Sequence, residues 1–123
     1  MVEGFNGTIL AYGQTSSGKT YSMLGSNVEL GIIPRMINCL FDHIEEQNEN
    51  VEFGLRASML EIYCEKIRDL IDTSNIDLKI RENKVRGLYI QDLFECPIRD
   101  EEELSVLMSK GFENRQTGST QMN

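Results

Sequence analysis

The sequence has no tryptophan, one histidine and three cysteines among its 123 residues. Cys39, Cys64 and Cys96 are odd in number and include no Cys-x-x-Cys pair, which argues against a disulfide framework and against a zinc site. We therefore predict free thiols that are buried in the folded protein. His43, the only histidine, has acidic neighbours, and we interpret it as a surface residue.

Long apolar runs are also missing. No stretch approaches the roughly 20 apolar residues that a membrane-spanning helix needs. Residues 1–4 show no basic region followed by an apolar one, as a secretory signal would. With 40% hydrophobic and 26% charged residues, the composition is ordinary for a globular protein. We therefore expect a single cytoplasmic domain over residues 1–123, with no membrane partner.

The formal net charge is −8, which argues against nucleic acid as a partner. Positive charge is nevertheless concentrated in one short segment, in which four cations accompany the single acid Glu82: Lys79, Arg81, Lys84 and Arg86. Such a run is either a solvated face or a surface for an acidic partner. Its spacing alone leaves both interpretations open.

Eight consecutive residues follow the pattern GxxxxGK[ST]: Gly13, Gln14, Thr15, Ser16, Ser17, Gly18, Lys19 and Thr20. A polyphosphate carries several negative charges, so the backbone must turn tightly around it with successive N–H groups pointing inward. The two glycines permit that turn. Lys19 is placed to reach the β and γ phosphates, and the hydroxyl of Thr20 to bind the Mg²⁺ that bridges them.

The residues on both sides of this loop support that interpretation. Residues 8–12 are apolar and β-prone, which predicts a buried strand before the loop. Residues 19–24 can begin a helix whose N-terminal dipole faces the loop. The order of strand, glycine loop and helix favours a phosphate-binding loop over the alternative, a flexible Gly/Ser turn.

The remaining sequence alternates between helical and extended patterns. Apolar residues recur at helical spacing from 31 to 44, with Pro34 in the first turn, and this helix is expected to cover a face of a sheet. Alternation over 51–59, continued to 63, predicts a half-buried strand, and the spacing over 67–71 predicts a short helix.

Residues 76–80 and 88–94 predict two strands joined by the basic turn. Asp100 is a good N-cap for a helix from about Glu101, with Val106 and its apolar neighbours on the core side. The polar residues 114–123 predict a loop-like tail.

Residues 4–20 closely resemble the nucleotide-binding core of kinesin motor domains. Residues 31–35 resemble the start of the helix that follows the family's variable loop, and residues 58–70 resemble its central strand and the segment after it. Asn114 and Arg115 resemble the end of its next helix. In this register Asn123 falls on the asparagine that opens switch I.

The resemblance implies an α/β P-loop NTPase fold, with the central β-sheet and flanking helices of a kinesin motor domain, here incomplete. It implies a microtubule-dependent ATPase of the cytoskeleton that binds ATP and Mg²⁺ at residues 13–20. Arg115 would lie near the nucleotide pocket or switch I. The basic segment that contains Lys79 and Arg81 corresponds to a hairpin that faces the microtubule in kinesins, and tubulin has an acidic surface.

Two other functions remain open. One is a different P-loop ATPase, such as a myosin-like enzyme, although residues 31–35 and 61–63 favour kinesin. The other is a remnant that binds nucleotide or microtubules without hydrolysing ATP. The sequence does not distinguish a remnant from an excerpt of a longer motor.

Phosphoryl transfer also needs groups that orient the attacking water and sense the γ phosphate. In kinesins these lie in a serine-rich switch I and an Asp-Leu-Ala-Gly-like switch II, and the sequence contains neither. We predict that the purified 123-residue chain releases phosphate from ATP no faster than background, with or without microtubules. Microtubule-stimulated turnover that Lys19→Ala abolishes would contradict this prediction.

Overall fold

The computed structural model describes residues 4–47, 50–85 and 87–122. The chain divides into two compact units, residues 1–53 and residues 54–123. Among the described residues, the first unit is built from helices and loops, and the second contains all the paired strands. None of the helices described is both long enough and apolar enough to cross a bilayer.

The first unit is built on two contacting helices, α1 (Lys19–Leu24) and α2 (Ile32–Glu45). Both confirm predictions from the sequence. Pro34 lies in the first turn of α2, where its missing N–H costs little. The loop between the helices closes tightly at Gly25, whose φ is +87° and where a Cβ would collide with the carbonyl oxygen of Glu29.

Residues 8–12 do not form the buried strand that their apolar character predicts. Leu10 and Tyr12 are 83% and 95% exposed. A strand needs hydrogen bonds to a neighbouring strand, and no described residue of this unit supplies them. For the same reason α2 does not cover a sheet face within its unit. Its apolar side is half-buried, and the helix packs on α1.

The described strands of the second unit form three antiparallel pairs. These are β1 (Leu55–Ala57) with β6 (Cys96–Ile98), β2 (Leu60–Tyr63) with β3 (Lys66–Asp69), and β4 (Ile80–Asn83) with β5 (Gly87–Ile90). The chain then continues into α3 (Glu101–Met122). A small apolar core is buried in this unit, and its members are Ile67, Leu70, Ile71, Ile98 and Leu107.

The helix predicted over 67–71 is wrong, because Ile67 belongs to β3. Tyr63 pairs with Lys66, so only Cys64 and Glu65 join β2 to β3. Their φ angles are 48° and 63°, the two positive values of a type I′ turn. Glycine and asparagine are the usual residues in such a turn, so the local sequence carried no hairpin signal.

The single strand predicted over 51–63 is also wrong in part. The structure has two strands there, β1 and β2, and they pair with different partners. Residues 58 and 59 separate them. The carbonyl oxygen of Met59 accepts a hydrogen bond from the N–H of Leu70 at 2.9 Å, outside either ladder. Apolar and polar residues keep alternating across residues 58 and 59, so the period of two did not predict the break between β1 and β2.

The predicted strand pair around the basic turn is confirmed, although its strands lie closer to the turn than 76–80 and 88–94. Ile80 pairs with Ile90, and the ladder ends at Asn83 and Gly87. Outside the ladder, Asp77 has a φ of 58°. A left-handed residue at that position interrupts the extended run, and the next residue, Leu78, bridges Ile67 of β3, so the ladder with β5 begins only at Ile80.

Asp100 caps α3 as predicted. Its Oδ1 accepts a hydrogen bond from the N–H of Glu103 at 2.8 Å, and Glu103 Oε2 accepts one from the N–H of Arg99 at 2.9 Å. The loop-like tail predicted after Gly111 is wrong, because α3 continues to Met122. Val106 was predicted on the core side of this helix and is instead 63% exposed.

Gly111 lies within α3 for a packing reason. A Cβ at this position would collide with the Sδ of Met59 and contact the Cδ1 of Ile71. Because Gly111 has no side chain, α3 can approach Met59, which lies between β1 and β2. The glycine does not end the helix. No proline follows it, so polar residues with moderate helix propensity continue the helix.

The expectation of buried thiols is wrong. Cys39 and Cys64 are exposed, and Cys96 is half-buried. All three are free. Cys39 lies on the polar side of α2, and Cys64 is in the β2–β3 turn, where few other residues surround it.

The carboxylate of Asp69 is almost fully buried, with 1% of the residue exposed. Its Oδ1 accepts hydrogen bonds from the N–H groups of Ile71 at 2.8 Å and Asp72 at 3.1 Å. Its Oδ2 accepts one from the N–H of Phe94 at 2.7 Å. One side chain thus joins the turn after β3 to the segment that leads into β6.

We predict that Asp69→Ala lowers the free energy of unfolding by about 2–3 kcal/mol, because one buried and two partly buried N–H groups lose their acceptor. Asp69→Asn should cost about 1 kcal/mol, because its amide oxygen keeps two bonds while its amide nitrogen opposes the N–H of Phe94. Urea denaturation measures both. The exposed control, Asp77→Asn, should stay within about 0.5 kcal/mol of wild type. A loss for Asp69→Ala no larger than that of the control would contradict this role.

Candidate functional site

The glycine loop leads directly into α1. Gly18 is the N-cap residue and has a φ of +91°, a left-handed conformation that favours glycine. Gly13 is required for a different reason, because a Cβ there would collide with the Oγ of Ser17. The N–H of Ser17 donates to the carbonyl oxygen of Gln14 at 3.2 Å, and Ser16 has a φ of 66°. The backbone therefore turns tightly.

The N-terminal end of α1 presents hydrogen-bond donors at this turn. Within the described residues, the N–H groups of Gly18, Lys19 and Thr20 have no backbone acceptor, as expected for the first turn of a helix. No acidic side chain lies in this first turn. The loop therefore has unsatisfied N–H groups and no carboxylate to repel an anion.

Lys19 folds back over its own loop. Its Nζ donates to the carbonyl oxygens of Gly13 at 2.7 Å and Gln14 at 2.6 Å. An ammonium group has three protons, so one donor remains for another acceptor. The side chain is half-buried and also borders a cavity of about 300 Å³ that residues 9–12 help to line.

Thr20, the predicted Mg²⁺ ligand, is exposed on α1 directly after Lys19. The described residues contain no group of three or more histidine, cysteine or acidic side chains that could hold a metal ion by themselves. The loop thus fits a metal ion only if phosphate oxygens supply most of its ligands. The loop offers a lysine ammonium and free N–H groups to a polyphosphate, and one hydroxyl to the Mg²⁺ bound to it.

The basic segment lies on the β4–β5 hairpin. Lys79 Nζ is 3.0 Å from Asp77 Oδ2, and Arg81 Nε donates to Gln91 Oε1 at 2.9 Å. Lys84 is exposed in the turn. The structure thus places Arg81 and Lys84 on the hairpin and Lys79 directly before β4, and Arg86 lies outside the described residues.

Within the second unit, Arg115 contacts a carboxylate. Its Nε is 4.0 Å from Oε1 of Glu61, whose Oε2 accepts hydrogen bonds from Arg68 at 3.0 Å and 2.6 Å. Next to it, Asn114 Nδ2 donates to the carbonyl oxygen of Leu70 at 2.6 Å. These contacts attach α3 to the β2–β3 hairpin, so they support a structural role for Arg115.

The kinesin motor domain family model matches residues 1–123, the whole chain. The chain belongs to the kinesin motor domain family. It is 45% identical to Kinesin-related protein 3 of Dictyostelium discoideum, over 100% of this chain and 11% of that protein. It is 41% identical to Kinesin-like protein KIN-1 of Arabidopsis thaliana, over 99% of this chain and 28% of that protein.

A solved structure of a fast kinesin has the same fold, with a TM-score of 0.94 and 38% sequence identity. The match covers 99% of this chain and 36% of the other. The incomplete α/β kinesin-type fold expected from the sequence is therefore confirmed. The chain spans only a small part of its kinesin relatives, between 11% and 28% of the two curated proteins named above.

One hydrogen bond close to the glycine loop was not predicted from the sequence. The hydroxyl of Tyr21 donates to Glu29 Oε2 at 2.6 Å, which ties α1 to the short loop before α2. This hydrogen bond raises the pKa of Tyr21 above its ordinary value. Arg35 Nε donates to the carbonyl oxygen of Leu30 at 2.9 Å and holds the other end of that loop. Tyr21 and Glu29 are eight residues apart across a turn, so no periodic pattern in the sequence predicted their hydrogen bond.

The Glu61 cluster yields a prediction about stability. Arg68→Ala should lower the free energy of unfolding by about 1–3 kcal/mol, because Glu61, with 15% of its side chain exposed, loses its two short hydrogen bonds. Arg115→Ala should cost about 0.5 kcal/mol or less, because this arginine is 55% exposed and 4.0 Å away. Thermal or urea melts of the two variants test the ranking. Equal losses, or a larger one for Arg115→Ala, would contradict it.

Proposed function

We propose that this chain is the ATP-binding part of a microtubule-dependent motor, and that the longer protein couples ATP hydrolysis to movement along microtubules. The observation that carries the proposal is the loop at the start of α1, where Lys19 and the free N–H groups of Gly18 and Thr20 surround one turn. Membership of the kinesin family supports the choice of motor over other P-loop ATPases.

ATP and Mg²⁺ are the ligands that this loop suits. In the proposal, residues 13–18 bind the phosphate oxygens through backbone N–H groups, and Lys19 adds a positive charge. Thr20 contributes its hydroxyl to Mg²⁺, whose other ligands are phosphate oxygens and water. Bound Mg²⁺–ATP supplies the phosphoanhydride bond whose cleavage drives a motor.

The proposed partner is the microtubule, bound through Lys79, Arg81, Lys84 and Arg86. The three described cations are exposed on the β4–β5 hairpin or directly before it, in a chain whose net charge is −8. An acidic protein surface such as that of tubulin is complementary to this local charge. Residues 1–123 would then be one portion of a single motor domain, located in the cytoplasm on the microtubule cytoskeleton.

Binding of a fluorescent ATP analogue in the presence of Mg²⁺ tests the nucleotide site. Lys19→Ala should weaken binding by about 10- to 100-fold, because a charge-assisted contact with phosphate is lost. Thr20→Ala should remove most of the dependence of affinity on Mg²⁺.

Two matched controls accompany these variants. Lys66→Ala removes an exposed lysine from β3, and Ser22→Ala removes a hydroxyl from the next turn of α1. Both should bind like wild type. If folded Lys19→Ala binds the ATP analogue as tightly as wild type, the proposed nucleotide site is contradicted. Nucleotide binding that does not change when microtubules are added would instead favour a chain that only binds nucleotide.

A further inference from the structure

Helix α1 is too short to be stable by itself, although its first turn carries the free N–H groups of the candidate site. It has six residues, Lys19–Leu24, and none of them is buried. Its N-cap residue is Gly18, which offers no side-chain oxygen to the N–H groups of this end. Because isolated helices of this length are not stable in water, α1 depends on contacts with residues outside it.

The loop between α1 and α2 contains a closed turn that can provide such contacts. The N–H of Ser26 donates to the carbonyl oxygen of Glu29 at 2.7 Å. The Oγ of Ser26 accepts hydrogen bonds from the N–H groups of Val28 and Glu29, both at 3.2 Å. These three bonds fix the backbone of residues 26–29, so the side chain of Glu29 extends from a defined position.

Two backbone hydrogen bonds hold the C-terminal end of α1 against this loop. The N–H of Gly25 donates to the carbonyl oxygen of Tyr21 at 2.7 Å, and the N–H of Gly31 donates to that of Leu24 at 3.1 Å. A side chain provides the link to the first turn. The hydroxyl of Tyr21, the third residue of the helix, donates to Glu29 Oε2 at 2.6 Å. This is the length of a charge-assisted O–H···O⁻ hydrogen bond.

We infer that Glu29 is a positioning residue of the phosphate site, which acts by holding the hydroxyl of Tyr21. The hydrogen bond ties the first turn of α1 to a closed loop and so keeps the free N–H groups of that turn in one arrangement. This inference rests on the proposed function, ATP binding at residues 13–20, and adds to it a residue outside that segment. A site held in one arrangement loses less conformational entropy when a ligand binds, so its affinity is higher.

Binding of the fluorescent ATP analogue with Mg²⁺ tests this role. Tyr21→Phe and Glu29→Ala should each weaken binding by about two- to fivefold, because each removes the same exposed hydrogen bond. The double variant should bind no more weakly than either single variant. Glu29→Gln keeps an oxygen that accepts from the Tyr21 hydroxyl, so its affinity should stay within about twofold of wild type.

Tripolyphosphate with Mg²⁺ has phosphates but no base, so it separates an effect on the phosphate site from an effect on the nucleotide base. Its affinity is measured by competition with the ATP analogue. Glu29→Ala should lower the affinity for tripolyphosphate by the same factor as the affinity for the analogue. A loss confined to the analogue would mean that the Tyr21 side chain serves the base, and the inference would be overturned.

Amide hydrogen exchange reports on the first turn of α1 directly. The N–H of Ser22 donates to the carbonyl oxygen of Gly18 at 2.8 Å and closes this turn. In the chain without nucleotide, this N–H should exchange faster in Glu29→Ala than in wild type, and close to the wild-type rate in Glu29→Gln. Equal exchange rates in the three proteins would contradict the inference.

Two matched controls remove a hydroxyl and a carboxylate elsewhere. Tyr63→Phe changes a half-exposed tyrosine of β2, and Glu45→Ala changes an exposed residue at the end of α2. Both should bind the two probes like wild type. If Glu29→Ala does not fold in a thermal melt, Tyr21→Phe provides the same comparison, because it removes only the hydroxyl.

Failure of the inference and failure of the proposed function give different results. Wild-type chain that binds neither probe contradicts the proposed function itself. Wild-type binding that neither Tyr21→Phe nor Glu29→Ala weakens, in folded chains, overturns only the role of Glu29.

Discussion

The ammonium group of Lys19 is bound to two carbonyl oxygens of its own loop, and the shape of the candidate site depends on this interaction. The bonds to Gly13 and Gln14, at 2.7 Å and 2.6 Å, bring the two ends of the loop together. The backbone can close in this way because Gly18 adopts a φ of +91° and Gly13 has no Cβ to meet Ser17. The result is a tight turn that combines free N–H groups with a cation.

A loop that is closed in this way favours ligand binding. Ordering a flexible glycine-rich segment costs conformational entropy, and a loop that is already closed avoids that cost when the ligand arrives. The third proton of Lys19 remains for a phosphate oxygen. The hydrogen bond between Tyr21 and Glu29 likewise fixes the loop between α1 and α2 against α1.

One buried and one partly exposed carboxylate stabilise the second unit together with its small apolar core. Asp69 accepts three backbone hydrogen bonds, and Glu61 receives two from Arg68. Few large side chains are buried in this unit, so these networks hold together strands of only three or four residues. The β4–β5 hairpin takes little part in these networks, and several of its apolar and basic side chains are exposed.

Sequence patterns predicted the parts of this structure that local chemistry determines. The glycine loop, α1, α2 and the Asp100 cap all follow from residues within a few positions of one another. The failures share a different cause. Cys64 and Glu65 form a turn that glycine and asparagine usually form, and Gly111 lies inside a helix because Met59 packs against it. Residues 8–12 are apolar, but a strand needs a partner that no local pattern specifies.

We propose that the loop at the start of α1 binds the phosphates of ATP. Amide NMR spectra of the ¹⁵N-labelled chain, recorded during a titration with Mg²⁺–ATP, test it at the level of single N–H groups. We expect saturable shifts at Gly18, Lys19 and Thr20, with the amides of α3 unchanged. Saturable binding that leaves these three amides unshifted, or no binding at all, would contradict it.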